Sequence, residues 1–229
     1  MYQKFLTARS PVRWLEKGLH GGLGKGNLGL VLAGHGIGKT SFLVGVALDE
    51  LLRGGHVLHV AIDQTVAHTR AHYDTLFDEL ASTARLDDAP QVHADVDRRR
   101  SIRAVTSSSF GAAKLREAVK IQQETAGAPA LVILENFDAG RASRDELLDM
   151  KALAQELGAE LWLSVACAGE KIDGPPGALA KARDAFGVIL ALEPDGKSVA
   201  LRALKDHEST NPSALRVALD PRTLLLTKS

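Results

Sequence analysis

Short apolar runs alternate along the chain with longer segments whose apolar positions recur every three or four residues. The runs at 27–33, 56–62, 130–135, 161–165 and 186–192 are rich in apolar residues, the pattern of central strands covered on both faces. Between them, 39–53, 66–80, 110–125 and 143–157 carry the spacing of amphipathic helices, with Leu147, Leu148, Leu153, Ala154 and Leu157 marking one stripe. This alternation predicts an α/β fold with a mostly parallel sheet flanked by helices. After residue 185 the helical spacing stops. FGVILALEPDGKSVALRALK reads as two strands joined at Pro194, Asp195 and Gly196, and 214–219 with 223–227 reads as a second hairpin around Asp220 and Pro221. The expectation is a parallel core extended by antiparallel strands at its C-terminal edge. Segment 81–109 mixes turn-prone, charged and serine-rich pieces and is assigned no clear element. No long repeat or low-complexity linker divides the chain, so residues 1–229 are expected to form a single domain.

Composition narrows the classes. The 28 Lys and Arg cancel the 28 Asp and Glu, so there is no global basic field to hold a polyanion, and DNA is not favoured as a partner by charge. A single cysteine, Cys167, excludes an intramolecular disulfide framework and a thiolate zinc cluster, and reads as a buried thiol. The start, MYQKFLTARS, lacks the apolar core of an export signal, and no run reaches the roughly 18 apolar residues of a membrane span. A cytoplasmic location without membrane contact is expected.

The segment with the most chemistry is Ala33-Gly34-His35-Gly36-Ile37-Gly38-Lys39-Thr40, followed by Ser41. It fits [AG]-x4-G-K-[ST], a phosphate-loop (Walker A) pattern, and it sits between an apolar strand, LGLVLA, and an apolar helix, SFLVGVALDELL. Gly34, Gly36 and Gly38 remove the Cβ atoms that would keep phosphate from main-chain N–H groups, and they permit the positive φ of an anion nest. Lys39 brings a charge to the terminal phosphates, the helix N-terminus aims its partial charge at the same anion, and the Thr40 hydroxyl can ligate Mg²⁺. The residues predicted to contact a nucleotide are therefore Gly34, His35, Gly36, Ile37, Gly38, Lys39, Thr40 and Ser41. LVILENFD supplies Glu135 at a strand end as the carboxylate partner of the metal, with Asp138 three positions on.

With the upstream segment these residues resemble the RecA-like P-loop ATPases, most closely the branch containing KaiC and the DnaB-type helicases. A short lead-in helix at about 10–20 precedes G-G-L-x-x-G, carried by Gly21, Gly22, Leu23 and Gly26, and then the strand and the phosphate loop. The likeness is specific through about Ile62 and near Glu135. The resemblance implies ATP as the nucleotide with Mg²⁺, and a carboxylate at the end of the strand after the loop helix that positions the attacking water. In HVLHVAIDQ that residue is Asp63, one methylene shorter than the family's glutamate, which would slow hydrolysis more than it weakens binding. Asp63 and Glu135 are thus the predicted catalytic pair, and Thr40 and Glu135 the predicted metal pair. Two departures stand out: the family's metal strand ends in aspartate, and only Ser164 is polar in the strand LWLSVAC that often carries a γ-phosphate sensor. In ring-forming relatives a lysine and an arginine reach the neighbouring subunit's nucleotide. In ALRALKDHESTNP this chain has Lys205 but His207.

Other features are read more plainly. His68 and His72 have the i, i+4 spacing of a helical metal pair but no evident third ligand. Arg98, Arg99, Arg100 and Arg103 form a basic run flanked by Asp95 and Asp97 with no interleaved aromatic, which suits a solvated charge cluster better than a single-strand platform. GEKIDGPPG at 169–177 is a turn-rich loop with one lysine and two acids. The leading expectation is a Mg²⁺-ATP-binding domain with slow or partner-stimulated hydrolysis, acting as a regulatory or assembly module through a protein partner or a homo-oligomer. The alternatives are a DNA-stimulated ring or filament motor, and a nucleotide-binding scaffold with little catalysis.

Overall fold

Two apolar layers, one on each face of a single sheet, hold most of the buried side chains. The computed structural model describes residues 10–169, 171–209 and 215–228. In chain order the elements are α1 (Val12–Gly18), β1 (Leu28–Ala33), α2 (Lys39–Leu52), β2 (Val57–Ile62), α3 (Val66–Ala84), α4 (Ala89–Arg99), β3 (Arg100–Val105), α5 (Ala112–Thr125), β4 (Leu131–Glu135), α6 (Arg144–Leu157), β5 (Glu160–Ala166), α7 (Gly177–Lys181), a 3-10 turn (Arg183–Ala185), β6 (Phe186–Asp195), β7 (Ser198–Asp206), β8 (Val217–Leu219) and β9 (Leu226–Lys228). The nine strands lie in the order β3-β2-β4-β5-β1-β6-β7-β8-β9. From β3 through β6 every pairing is parallel, and β6 to β9 pair antiparallel. The α/β class, the parallel core and the antiparallel C-terminal extension agree with the expectation from sequence.

The strands β1, β2 and β4 are buried at every position, as apolar runs covered on both faces must be. Alternation along β2 sends Val57 to the layer shared with α2, α3 and α4, and Leu58 and Val60 to the layer shared with α5 and α6. In β4, Leu131 and Ile133 face the α2 and α3 side, so Glu135, next in the same parity, is directed there too. One glycine of β1 is fixed by packing: a Cβ on Gly29 would stand 2.5 Å from the ring of Trp162, its register partner on β5. That ring meets Phe42 of α2 edge-on at 5.9 Å, which fastens the loop helix to the sheet.

The segment left unassigned in sequence, 81–109, contains the end of α3, all of α4 and strand β3. Arg85 closes α3 in the left-handed conformation with φ 50. Strand β3, RSIRAV, is the sheet's edge, none of its residues is buried, and arginines replace the apolar run that marks an inner strand. The lead-in helix is observed at Val12–Gly18. The second C-terminal hairpin forms as β8 and β9, and residue 214 of the range read from sequence lies outside the described residues. Among the described residues no helix is long and apolar enough to cross a membrane.

Candidate functional site

The carboxyl ends of β1, β2, β4 and β5 open into a cavity of about 1120 Å³. Its floor is the loop from His35 to Ser41. Asp63, Gln64 and Ser107 line one side, Asn136 to Gly140 another, and the turns containing Lys197 and Pro221 close the far rim. This is where ligands settle in open α/β sheets, at the carboxyl ends where the strand order reverses. The loop sequence explains the local shape. Gly36 has φ 73 with open space where a Cβ would be, and Gly38 has φ 117 with Leu219 Cδ2 only 2.4 Å from the place of a Cβ. No side chain caps the N-terminus of α2 at Gly38, so the N–H groups of its first turn are left for an external acceptor.

Lys39 lies at the base of this loop with 8% exposure. Its Nζ donates to Gly34 O at 2.8 Å and to Ala33 O at 3.2 Å. Burial lowers its pKa, against the pull of the nearby Cys167 and Glu135 charges. The lysine is thus engaged by two neutral carbonyls and still borders the cavity.

Thr40 and Glu135, 95 positions apart in sequence, meet directly: the Thr40 hydroxyl donates to Glu135 Oε1. The other carboxylate oxygen is 3.1 Å from His59 Nε2. Burial raises the Glu135 pKa, but the hydrogen bonds from His59 and the Thr40 hydroxyl pull against it, and the carboxyl is held below its ordinary range. A hydroxyl beside an ionised carboxylate is the hard-oxygen donor set that suits Mg²⁺. The fold thus brings together the two residues read from sequence as a metal pair, and His59 is a contact of Glu135 that the sequence reading missed. Its signal was present: a histidine inside the apolar run VLHVAI has no reason to be there unless something buried needs a partner.

Asp63 sits at the tip of β2 with φ 54, and Asn136 at the tip of β4 with φ 60. Both take a left-handed turn at the cavity wall, where short polar residues tolerate it best. Asp63 is exposed, and its Oδ1 accepts from Ser107 N at 2.9 Å. The Ser107 backbone and hydroxyl lower its pKa. Its neighbour Gln64 also lines the cavity, with Oε1 buried and without a hydrogen-bond partner among the described residues.

The remaining candidates have structural employment. Ser164 is fully buried; its hydroxyl accepts from Asn136 N at 3.1 Å and its carbonyl from Phe137 N at 2.8 Å, which shapes the loop after β4. Lys205 donates to Phe186 O at 2.5 Å and Arg183 O at 3.2 Å, and His207 Nε2 is 2.9 Å from Gly22 O. Both are used within their own chain, the second on the G-G-L segment. Arg98 pairs with Asp95, and Arg100 and Arg70 pair with Asp97, so much of the basic run is neutralised locally. His68 and His72 bring Nε2 atoms within 3.3 Å. The one group of three converging metal-type ligands among the described residues is elsewhere, at Asp74, His93 and Asp97, and Arg70 and Arg100 are threaded through it. Cys167 is half-buried, and burial raises its pKa.

Searches of protein-family models and of curated proteins return no match to this chain. The functional reading therefore rests on the residues and their geometry.

Proposed function

We propose that the chain is a Mg²⁺-ATP-binding domain of the RecA/KaiC-like kind, with slow or partner-stimulated hydrolysis, working as a regulatory or assembly module. The observation that carries this reading is the meeting of the Thr40 hydroxyl and the Glu135 carboxylate at the head of the glycine-rich loop. In the proposed complex the triphosphate lies along residues 34–41, with its charge on the N–H groups of the loop and of the first turn of α2. Lys39 exchanges two neutral carbonyls for phosphate oxygens, a trade favoured because charge-assisted hydrogen bonds are roughly twice as strong as neutral ones. Thr40 would ligate magnesium and Glu135 would hold its water shell, and the ion would supply charge neutralisation at the terminal phosphates. Asp63, fastened by one oxygen to Ser107, turns the other toward the attacking water.

The anchoring of Asp63 and its short side chain support slow chemistry, because water placement is sensitive to displacements of about 1 Å. The local pairing of the arginine run and the use of Lys205 within its own chain speak against a DNA-driven motor. The test is calorimetric titration with ATP and Mg²⁺ of the wild type and of Lys39→Ala, with phosphate release followed in parallel. Saturable binding by the wild type that is lost in the variant is expected. Equal affinity in both would refute the site.

A further inference from the structure

His59 has 0% exposure and lies in the middle of β2 between strands of apolar side chains. Both of its ring nitrogens are engaged: Nε2 is 3.1 Å from Glu135 Oε2, and Nδ1 is 3.2 Å from the Tyr73 hydroxyl of α3. One tautomer satisfies both contacts, with the proton on Nε2 donated to the carboxylate and Nδ1 accepting from the tyrosine. The register of the sheet makes the meeting feasible. Ala61 of β2 stands opposite Glu135, and His59 stands opposite Ile133, two positions back on the same face. The small side chain at 61 leaves the volume through which a glutamate can fold back toward the imidazole.

We propose that His59 is the positioning residue of the metal site: it fixes the Glu135 carboxylate, which is longer than the aspartate the resemblance leads one to expect, in the single orientation that leaves it beside Thr40. This inference rests on the magnesium-nucleotide reading above and adds to it a residue that touches neither metal nor nucleotide. A glutamate carries one more side-chain torsion than an aspartate, and without tethers its carboxylate would spread over several rotamers. Two tethers on two different oxygens remove that freedom before the metal arrives, which is preorganisation in the sense that lowers the cost of binding. The ring is itself held. Tyr73 is fully buried, its ring meets the imidazole edge-on at 5.7 Å, and the Arg100 guanidinium lies 4.6 Å from the Tyr73 ring centroid. A line of fixed contacts thus runs from Thr40 through Glu135, His59 and Tyr73 to Arg100.

The experiment measures ATP affinity with excess Mg²⁺ and again with a chelator, and takes the ratio as the gain from the metal. For His59→Phe, close to the imidazole in shape but without a donor, the metal-free affinity is expected to stay within about twofold and the gain to fall about tenfold or more. His59→Gln, whose amide can donate from near the same place, restores most of the gain, and Tyr73→Phe gives a loss of about threefold. In the Glu135→Gln background His59→Phe has no further effect on the gain, since the two residues act as one unit. Nitrogen-15 spectra of the nucleotide-free wild type give an independent readout, a histidine with its proton on Nε2 that changes environment in Glu135→Gln. A full metal gain in His59→Phe overturns the proposal, as does an equal loss of metal-free and metal-dependent affinity, which would mark a merely structural histidine. Should His59→Phe fail to fold, Tyr73→Phe and the tautomer decide. Absence of any ATP binding by the wild type would instead refute the nucleotide reading itself.

Discussion

Helix α2 meets a buried carboxylate near each end, and the two have opposite characters. At its start Thr40 meets Glu135, which is 1% exposed and, although burial raises it, is held below its ordinary range by the hydrogen bonds from His59 and the hydroxyl. Near its end Asp49, 6% exposed, gathers with Glu16, Glu50 and Glu160 around a small cavity of about 100 Å³ at the amino ends of the strands. There burial dominates, and all four carboxyls are pushed above their ordinary range although Arg13 and Arg53 pair with Glu16, Asp49 and Glu50. What separates the ends is how the donors are placed: each Glu135 oxygen is bonded, whereas Arg13 and Arg53 both gather on Asp49 Oδ2 and leave Oδ1 buried without a hydrogen-bond partner among the described residues. With both oxygens bonded and one of them held by Thr40, which lines the large cavity, the Glu135 carboxylate stays ionised, as the proposed metal site requires. Crowded by its own kind and crossed by arginines, Asp49 ties α1 to α2 and to the sheet.

The sharpest way to break this comparison is to remove one cation from each end. Lys39→Ala is expected to weaken ATP binding about 100-fold or more, close to 3 kcal/mol, with little change in melting temperature. Arg13→Met is expected to do the reverse: it leaves Asp49 short of a partner and costs about 2 kcal/mol of stability, discounted because Arg13 is partly exposed, while ATP affinity is unchanged in titration. A smaller effect is expected for Asp63→Asn, with binding preserved and the single-turnover rate of phosphate release down about tenfold. An unchanged rate would remove Asp63 from the water-positioning role.

The smallest expected effect lies in the pH dependence of stability, and its sign differs at the two ends. Below the ordinary glutamate value of 4.5 the unfolded chain binds more protons at Glu135 than the folded one does. Its stabilising contribution is therefore complete above that value and is lost as pH falls through the lowered folded value. For Asp49 the folded state keeps its proton longer, so stability declines as pH rises from the ordinary 3.8 through the raised folded value. Unfolding measured in urea across the acid range should show Glu135→Gln flattening the first limb and Asp49→Asn the second. Identical slopes in both variants would erase the distinction.

Much of this was legible in the sequence for a physical reason. Inner strands and the phosphate loop are specified locally, by apolar runs and by glycines whose conformations the loop requires, so β1, α2, β2, β4 and residues 34–41 could be read directly. Glu135 could be placed at a strand end, but its tether to His59 depends on the register of β2 against β4. Strand β3 was hidden because an edge carries charge where an inner strand carries apolar residues. The employment of Lys205 and His207 was equally out of reach, since their acceptors, Phe186, Arg183 and Gly22, are brought to them only by the packing of β6, β7 and the segment before β1.

The central claim is that only the Thr40 end of α2 is a ligand site. It is tested most directly by the gain in ATP affinity that Mg²⁺ confers on the wild type, on Glu135→Gln and on Asp49→Asn under one set of conditions. The account predicts a gain that collapses in Glu135→Gln and survives intact in Asp49→Asn. A gain unaffected by either substitution, or lost equally in both, would contradict it.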